Sequence, residues 1–425
     1  MINELKNVPE LRFSNFCDEW VNYKLGEIVD IRGRIGFRGY TKSDIINKED
    51  GGVLTFSPTN IIYNKLKNTV HDTYITKEKY EESPEIMVKT GDILFVKTGS
   101  TLGKSTLVAN LNEEATVNPQ IVVMRAKVFF HQKFTSTYLT LNKILRQVAQ
   151  TRIGGAIPTL TESEIKKFQV SFPVYEEQQK IGSFFSKLDQ QIELEEQKLE
   201  KLEEQKKGYM QKIFTQELKF KNSQLENIKW SYKTLEELNS FFTDGNYGES
   251  YPKSEDMSDK NDGVAFLRGS NLKKGRITLE DANYISKKKH SELTTGHLFL
   301  DDIVIAVRGS LGAVGYVNEN MVGNNINSQL AIIRTSNSLL YGKYLLYYLM
   351  SNQGKKELLS RVTGTALKQL PIKQIKQIKV PVPKLHEQHK IANFLSELDN
   401  LIDNQTEKIE LLKERKKGFL QKMFV

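Results

Sequence analysis

Residues 165–214 read IKKFQVSFPVYEEQQKIGSFFSKLDQQIELEEQKLEKLEEQKKGYMQKIF, and residues 375–424 read IKQIKVPVPKLHEQHKIANFLSELDNLIDNQTEKIELLKERKKGFLQKMF. The two align without a gap at an offset of 210 residues and are identical at 23 of 50 positions. Solenoids repeat every ~20–50 residues, so a period of half the chain means that a whole domain and the segment after it are duplicated. The 425 residues are read as a pseudo-dimer in one polypeptide.

The second part of each copy is the most regular. Ile181, Phe185, Leu188, Ile192, Glu195, Leu199, Leu202, Lys206, Tyr209 and Ile213 follow a 4-3 alternation, the pattern of a coiled-coil seam. The copy gives Ile391, Leu395, Leu398, Ile402, Gln405, Ile409, Leu412, Lys416, Phe419 and Met423, with its polar interruptions in the same places. Each helix should be about 50 Å long. An antiparallel register that opposes Glu195 to Lys416 also opposes Gln405 to Lys206, and buried polar partners can specify such a register; the alternative is that the lysines snorkel from the seam independently. The copies are therefore expected to pair antiparallel about a pseudo-twofold axis.

Working outward, Trp20-Val21-Asn22-Tyr23-Lys24-Leu25 is answered by Trp230-Ser231-Tyr232-Lys233-Thr234-Leu235. Short apolar runs bounded by Gly, Asn, Asp and Pro follow, which reads as strands and turns. Asp92-Ile93-Leu94-Phe95-Val96 and Asp302-Ile303-Val304-Ile305-Ala306 each lead to a Gly-Ser turn, and Ile121 to Arg125 matches Leu330 to Arg334. Helical stretches are expected over 137–150 and 341–360. The fold class is α+β: two similar domains, 1–175 and 217–385, joined by an antiparallel two-helix coiled coil, 176–216 with 386–425, with internal pseudo-twofold symmetry.

Composition is that of an ordinary globular chain, 39% hydrophobic and 27% charged. The apolar run 344–350 is too short to span a bilayer and the N-terminus shows no signal segment, so a cytoplasmic location is expected. The single cysteine, Cys17, excludes an intramolecular disulfide. A net charge of +9 favours an anionic partner.

Three motifs resemble chemistry and fail on spacing. Gly99-Ser100-Thr101-Leu102-Gly103-Lys104-Ser105 has one residue too few for a phosphate loop, and the copy Gly309-Ser310-Leu311-Gly312 has no lysine after it. Asn118-Pro119-Gln120 lacks the second proline and the aromatic of an amino-methyltransferase motif, and its copy is Asn327-Ser328-Gln329. His386 and His389 correspond to Glu176 and Gln179, with no third ligand nearby, so no metal site is read. No catalytic constellation recurs in both halves, and the chain is expected to be neither an enzyme nor a cofactor carrier.

Two similar basic heads on a spacer match the symmetry of duplex DNA, whose half-sites lie ~34–36 Å or multiples apart. Where the copies agree they should be frame; where equivalent turns differ they should read bases. The loop Arg32 to Tyr40 offers Arg34, Arg38 and Tyr40, against Asn246 and Tyr247 in the copy. The turn holding Ser57 and Asn60 becomes Arg268, Ser270 and Asn271, and arginine can fork onto guanine where serine cannot. Lys97, Thr98, Ser100 and Lys104 face Arg308 and Ser310; Gln120 and Gln329 are amides suited to a base edge or a turn; Arg152, Arg361 and Lys368 lie on a further loop.

The chain resembles the specificity subunits of type I restriction-modification systems. The resemblance covers nearly the whole length and rests on the duplicated order: the Gly-Ser turns, Arg152-x-x-Gly155 and Arg361-x-x-Gly364 before Leu160 and Leu370, Pro173 and Pro383, and Glu177-Gln178-x-Lys180-Ile181 with Glu387-Gln388-x-Lys390-Ile391. It implies a non-catalytic subunit reading a bipartite, asymmetric DNA site with one target-recognition domain per half. It also implies partners: two methyltransferase subunits, which carry S-adenosylmethionine and methylate adenine, and restriction subunits using ATP and magnesium. The coiled coil in such proteins sets the gap between half-sites.

Overall fold

The computed structural model describes residues 7–36, 39–155, 157–218, 230–365 and 367–425. It divides into two compact units, one of 1–196 with 408–425 and one of 197–407, so the division falls inside both long helices, Tyr175–Phe214 and Leu385–Lys422.

In the first unit an antiparallel sheet runs in the order Val29–Arg32, Ile121–Ala126, Ile93–Val96, Ser105–Leu107. Its strand Ile93–Val96 is buried at every position. Side chains alternate across a strand, which explains the division of that run: Ile93 and Phe95 join the helical side of the core, Leu94 and Val96 the other. The helical side is Gln132–Leu139 and Asn142–Thr151, contributing Phe134, Tyr138, Ile144 and Val148. The other side is a mixed sheet, Ala115–Val117, Val53–Phe56, Thr73–Ile75, Ile45–Ile46. The antiparallel pair Val21–Lys24 and Gln169–Phe172 closes the domain beside the long helix.

The second unit repeats the arrangement. Its larger sheet runs Phe241–Asp244, Leu330–Arg334, Ile303–Ala306, Val314–Tyr316, Gly275–Ile277, Leu272–Lys273. Ile303 and Ile305 face Tyr344, Leu345 and Leu358 on helices Gly342–Met350 and Asn352–Ser360, while Val304 and Ala306 face Leu267 and Ile326 of the smaller sheet. Each stretch expected as one helix is thus two. Asn142 and Asn352 open the second helices after Leu141 and Ser351, whose extended backbone breaks the run.

One ionic lock recurs. Asp92 is nearly fully buried and takes both arms of the Arg125 guanidinium, at 2.8 and 2.9 Å; Asp302 takes Arg334 at 2.8 Å twice. Fork-to-fork pairing satisfies the buried carboxylate, and each arginine also donates to a carbonyl, of Met87 or His297. Two glutamines start the long helices in the same way. Gln178 accepts from the His131 amide and donates to the Pro173 carbonyl, and Gln388 accepts from the Tyr341 amide and donates to the Pro383 carbonyl.

The long helices pack antiparallel within each unit. In the first, Leu188, Ile192 and Leu412 bury one another beside Phe419, whose ring meets Phe184 edge-on at 5.1 Å. In the second, Tyr209 and Phe394 make the equivalent contact at 5.2 Å with the helices' parts exchanged. The register differs from the one expected. Lys416 pairs with Asp189 and not Glu195, and Lys206 with Asp399 and not Gln405, while Glu195 pairs with Lys408. Both displacements are six residues in the same sense, so one register still serves both copies. The lysines lean out of the seam to flanking aspartates, which keeps their ammonium groups partly in water, and the aromatic pairs occupy the layer instead. The seam is also shorter than the heptads suggest: Ile181, Phe185, Met423 and Phe424 join the first domain's core, and Met210, Ile213, Ile391 and Leu395 the second's.

Candidate nucleic-acid interface

In each domain three loops are stitched together at one end of the larger sheet. In the first, the Lys97 amide donates to the Gln120 carbonyl at 2.8 Å, the Leu160 amide to the Lys97 carbonyl at 2.8 Å, and the Gly99 amide to the Pro158 carbonyl at 2.9 Å. In the second, the Val307 amide donates to the Gln329 carbonyl at 2.8 Å and the Leu370 amide to the Val307 carbonyl at 3.0 Å. The backbone therefore brings 97–100, 118–120 and 152–160 together, and likewise 307–310, 327–329 and 361–370, although the three loops are distant in sequence.

The loop around Gly99 joins Ile93–Val96 to Ser105–Leu107 as a hairpin, with the Val96 amide on the Lys104 carbonyl at 2.8 Å and the Gly103 amide on the Val96 carbonyl at 2.9 Å. A strand follows where a phosphate loop requires a helix N-terminus. Gly99 and Gly309 have φ of 108° and 70°, a region open to glycine and costly for other residues. Among the described residues no group of three or more His, Cys, Asp or Glu is placed to hold a metal. His389 lies at 4.1 Å, centroid to centroid, from Tyr341.

The sequence-derived residues separate by burial. Asn60, Asn246 and Asn271 are buried. Asn60 donates to the Lys67 carbonyl and to Asp72, Asn271 to the carbonyls of Thr278 and Glu280, and Asn246 to that of Thr295. Asn60 and Asn271 also accept from the amides of Ser57 and Arg268. These three asparagines hold turns together from inside the domains. Ser100, Lys104, Arg152, Tyr247, Ser270, Arg308, Ser310, Gln329 and Lys368 are exposed. Arg34, Tyr40, Ser57, Lys97, Thr98, Gln120, Arg268 and Arg361 are half-buried. Arg38 lies outside the described residues.

Several of the half-buried cations are partly committed. Arg34 donates to the Val117 carbonyl at 3.0 Å and lies 6.0 Å from the Tyr40 ring centre; burial pushes the arginine pKa down and the tyrosine pKa up. Arg268 donates to the Asp281 carbonyl at 2.9 Å, and Lys97 is 4.0 Å from Glu162. Arg361 pairs with Glu357 one helical turn back. It is not the counterpart of Arg152. The bridges Ile153↔Thr159 and Thr363↔Gln369 align Arg152 with Val362 and Gly154, not Gly155, with Gly364. Gly154 and Gly364 share positive φ, 94° and 88°, and a Cβ on either would press on the carbonyl of Ile157 or Leu367.

The second domain's cluster opens on a cavity of about 290 Å³ lined by Asp244, Tyr247, Arg308, Gln369 and apolar residues. The Arg308 guanidinium lies 5.5 Å from the Tyr247 ring centre, and the Tyr247 hydroxyl donates to the Ser328 carbonyl at 3.0 Å. The guanidinium is thus within cation–π range of a ring fixed by its own hydroxyl. Burial, with Asp244 adding to it, pushes the Tyr247 pKa up, so the hydroxyl stays protonated and able to donate. Sequence reasoning missed Asp244, Glu162 and Gln369, because their roles depend on which loops meet. The Asp92–Arg125 lock did leave a signal: both residue types recur in the duplicated strands.

The arrangement has parallels among known proteins. The type I restriction enzyme MjaVIII specificity subunit of Methanocaldococcus jannaschii is 23% identical over 98% of this chain and 94% of its own length. The EcoBI specificity subunit of Escherichia coli is 22% identical over 90% of this chain and 79% of its own. The crystal structure of the type I restriction-modification system S subunit from M. genitalium superposes with a TM-score of 0.61 at 17% identity, covering 98% of this chain and 99% of that one. The type I restriction modification DNA specificity domain matches twice, over residues 17–204 and 227–414, once for each three-loop cluster, and the chain therefore belongs to that family of specificity subunits.

Proposed function

We propose that this specificity subunit reads a bipartite, asymmetric site in double-stranded DNA, one half-site per domain, and that it does so without chemistry of its own. The observation that carries the reading is the duplicated loop cluster: the equivalent three loops share two backbone bonds, yet bear Lys97 and Thr98 in one domain and Val307 and Arg308 in the other. A shared frame with different side chains suits two unlike half-sites, since base edges are told apart by donor and acceptor pattern. The +9 charge supports phosphate contact.

In this reading the subunit recruits two methyltransferase subunits, which bring S-adenosylmethionine, and through them ATP- and magnesium-dependent restriction subunits, in the cytoplasm. One solved neighbour, with a TM-score of 0.55, comes from work on complex assembly and conformational transition of the type I R-M system. Among the described residues no helix is long and apolar enough to cross a membrane.

Mapping methylated adenines in a host carrying the subunit with its methyltransferase tests the reading. Two unlike half-sites with a fixed gap are expected; a continuous palindrome would contradict it. Adding one heptad at equivalent points of both long helices should lengthen the gap by roughly 10 Å, about three base pairs. An unchanged gap would end the spacer role.

A further inference from the structure

Each domain places one carboxylate in its loop cluster, and the two domains supply it from different elements. In the second domain the edge strand of the larger sheet ends on Asp244, paired with Ala331, and Asp244 lines the cavity with Arg308 and Gln369. In the first domain Arg32 pairs with Val123 as Thr243 pairs with Ile332, which puts Gly33 in the position of Asp244. Gly33 has no side chain, and the space is filled by Glu162: a Cβ on Gly33 would overlap the glutamate Oε1. Glu162 opens the short helix Glu162–Ile165, and its counterpart Ile372 opens Ile372–Lys376 and also lines the cavity. Acid and neutral residue have exchanged places, and one acid remains in each cluster.

An acid in a surface meant for a polyanion weakens phosphate contact. It has a use if it faces a base edge that offers a donor, because a carboxylate accepts only and rejects the keto oxygens of guanine and thymine. Both acids have a cation at hand, Lys97 at 4.0 Å from Glu162, and Arg308 in the same cavity as Asp244. Such pairs of opposite charge suit adjacent donor and acceptor groups in the major groove.

We propose that Asp244 and Glu162 are specificity-determining residues, each accepting a hydrogen bond from the exocyclic amino group of a cytosine or adenine in the half-site its own domain reads. The inference rests on the DNA-reading function above. The test is selection from a randomised duplex library by the full chain assembled with its methyltransferase subunits. Asp244→Ala and the isosteric Asp244→Asn should relax one base pair of one half-site by roughly tenfold or more and leave the other half-site intact. Glu162→Ala and Glu162→Gln should do the same in the other half-site. An unaltered motif overturns the assignment, and so does a loss spread over a whole half-site, which signals a displaced domain. A parent complex that selects no bipartite motif removes the DNA-reading function itself, and this assignment with it.

Discussion

The two domains share a buried ion pair and differ where three loops meet. Asp92 with Arg125 and Asp302 with Arg334 are the same lock in the same place, whereas Gly33, Lys97 and Glu162 in one cluster face Asp244, Val307 and Ile372 in the other. The frame was copied with its ion pair, while the loop ends changed on a backbone whose own hydrogen bonds are kept: Lys97 and Val307 both donate to a glutamine carbonyl and accept from a leucine amide.

The largest expected effect is on the frame. Asp302→Ala leaves the Arg334 guanidinium half-paired beside a buried void, and breaking such a pair costs about 3–5 kcal/mol. Asp92→Ala should cost the first domain a similar amount. Hydrogen exchange resolved by domain checks both; a small loss in one domain and a large one in the other would break the equivalence.

Next come the loop glycines. Gly364→Ala sets a Cβ against the Leu367 carbonyl at positive φ, and Gly154→Ala one 2.8 Å from the Ile157 carbonyl. Each should cost about 1–3 kcal/mol, seen as a lower unfolding midpoint in denaturant. Gly155→Ala, at a position with open space, should cost little. A large cost at Gly154 with a small one at Gly155 would show that Gly154 is the counterpart of Gly364.

Smaller still is the seam. Lys206–Asp399 and Lys416–Asp189 are the same ion pair with the helices exchanged, but Lys206 also lies 5.3 Å from the Tyr347 ring centre, where the first domain has Thr137. Double-mutant cycles should give up to about 1 kcal/mol for each, larger for Lys206. Equal couplings would show that the ring adds nothing.

Much of this was legible in the sequence. The 210-residue offset gave the duplicated domains and the antiparallel helices, because heptads and strand alternation are local patterns that repeat intact. The partners of Lys206 and Lys416 lie six residues from the expected ones because the heptad pattern marks which face is apolar, while Phe184 against Phe419 and Tyr209 against Phe394 decide which layers oppose. The burial of the turn asparagines is not legible locally, because Asn60 and Asn271 are polar in sequence and are enclosed by bonds to residues seven to twelve positions on. Asp244 and Glu162 were out of reach for the opposite reason: which space each acid fills depends on the absence of a side chain at Gly33, far away in the chain.

The smallest expected effect follows from two histidines that the domains do not share. His290 and Tyr80 occupy equivalent places on helices capped by Ser286 and Thr76, and His131 and Tyr341 both offer their amides to the helix-starting glutamines. Burial pushes the pKa of both histidines below the usual imidazole value; His297, 4.7 Å away, adds to this at His290 and Lys133 at His131, while Asn325 opposes it at His290. With folded pKa values below the unfolded one of about 6.5, the unfolded chain binds more protons in acid. Stability conferred by the neutral rings is therefore full above pH ~6.5 and falls as the pH drops through that value. His290→Tyr should flatten this slope in the second domain only, and His131→Tyr in the first only, each borrowing the residue its sister domain already uses. Domain-resolved hydrogen exchange at pH 5.5 and 7.5 distinguishes the outcomes, and a slope that either substitution flattens in both domains would mean that the two units do not unfold independently.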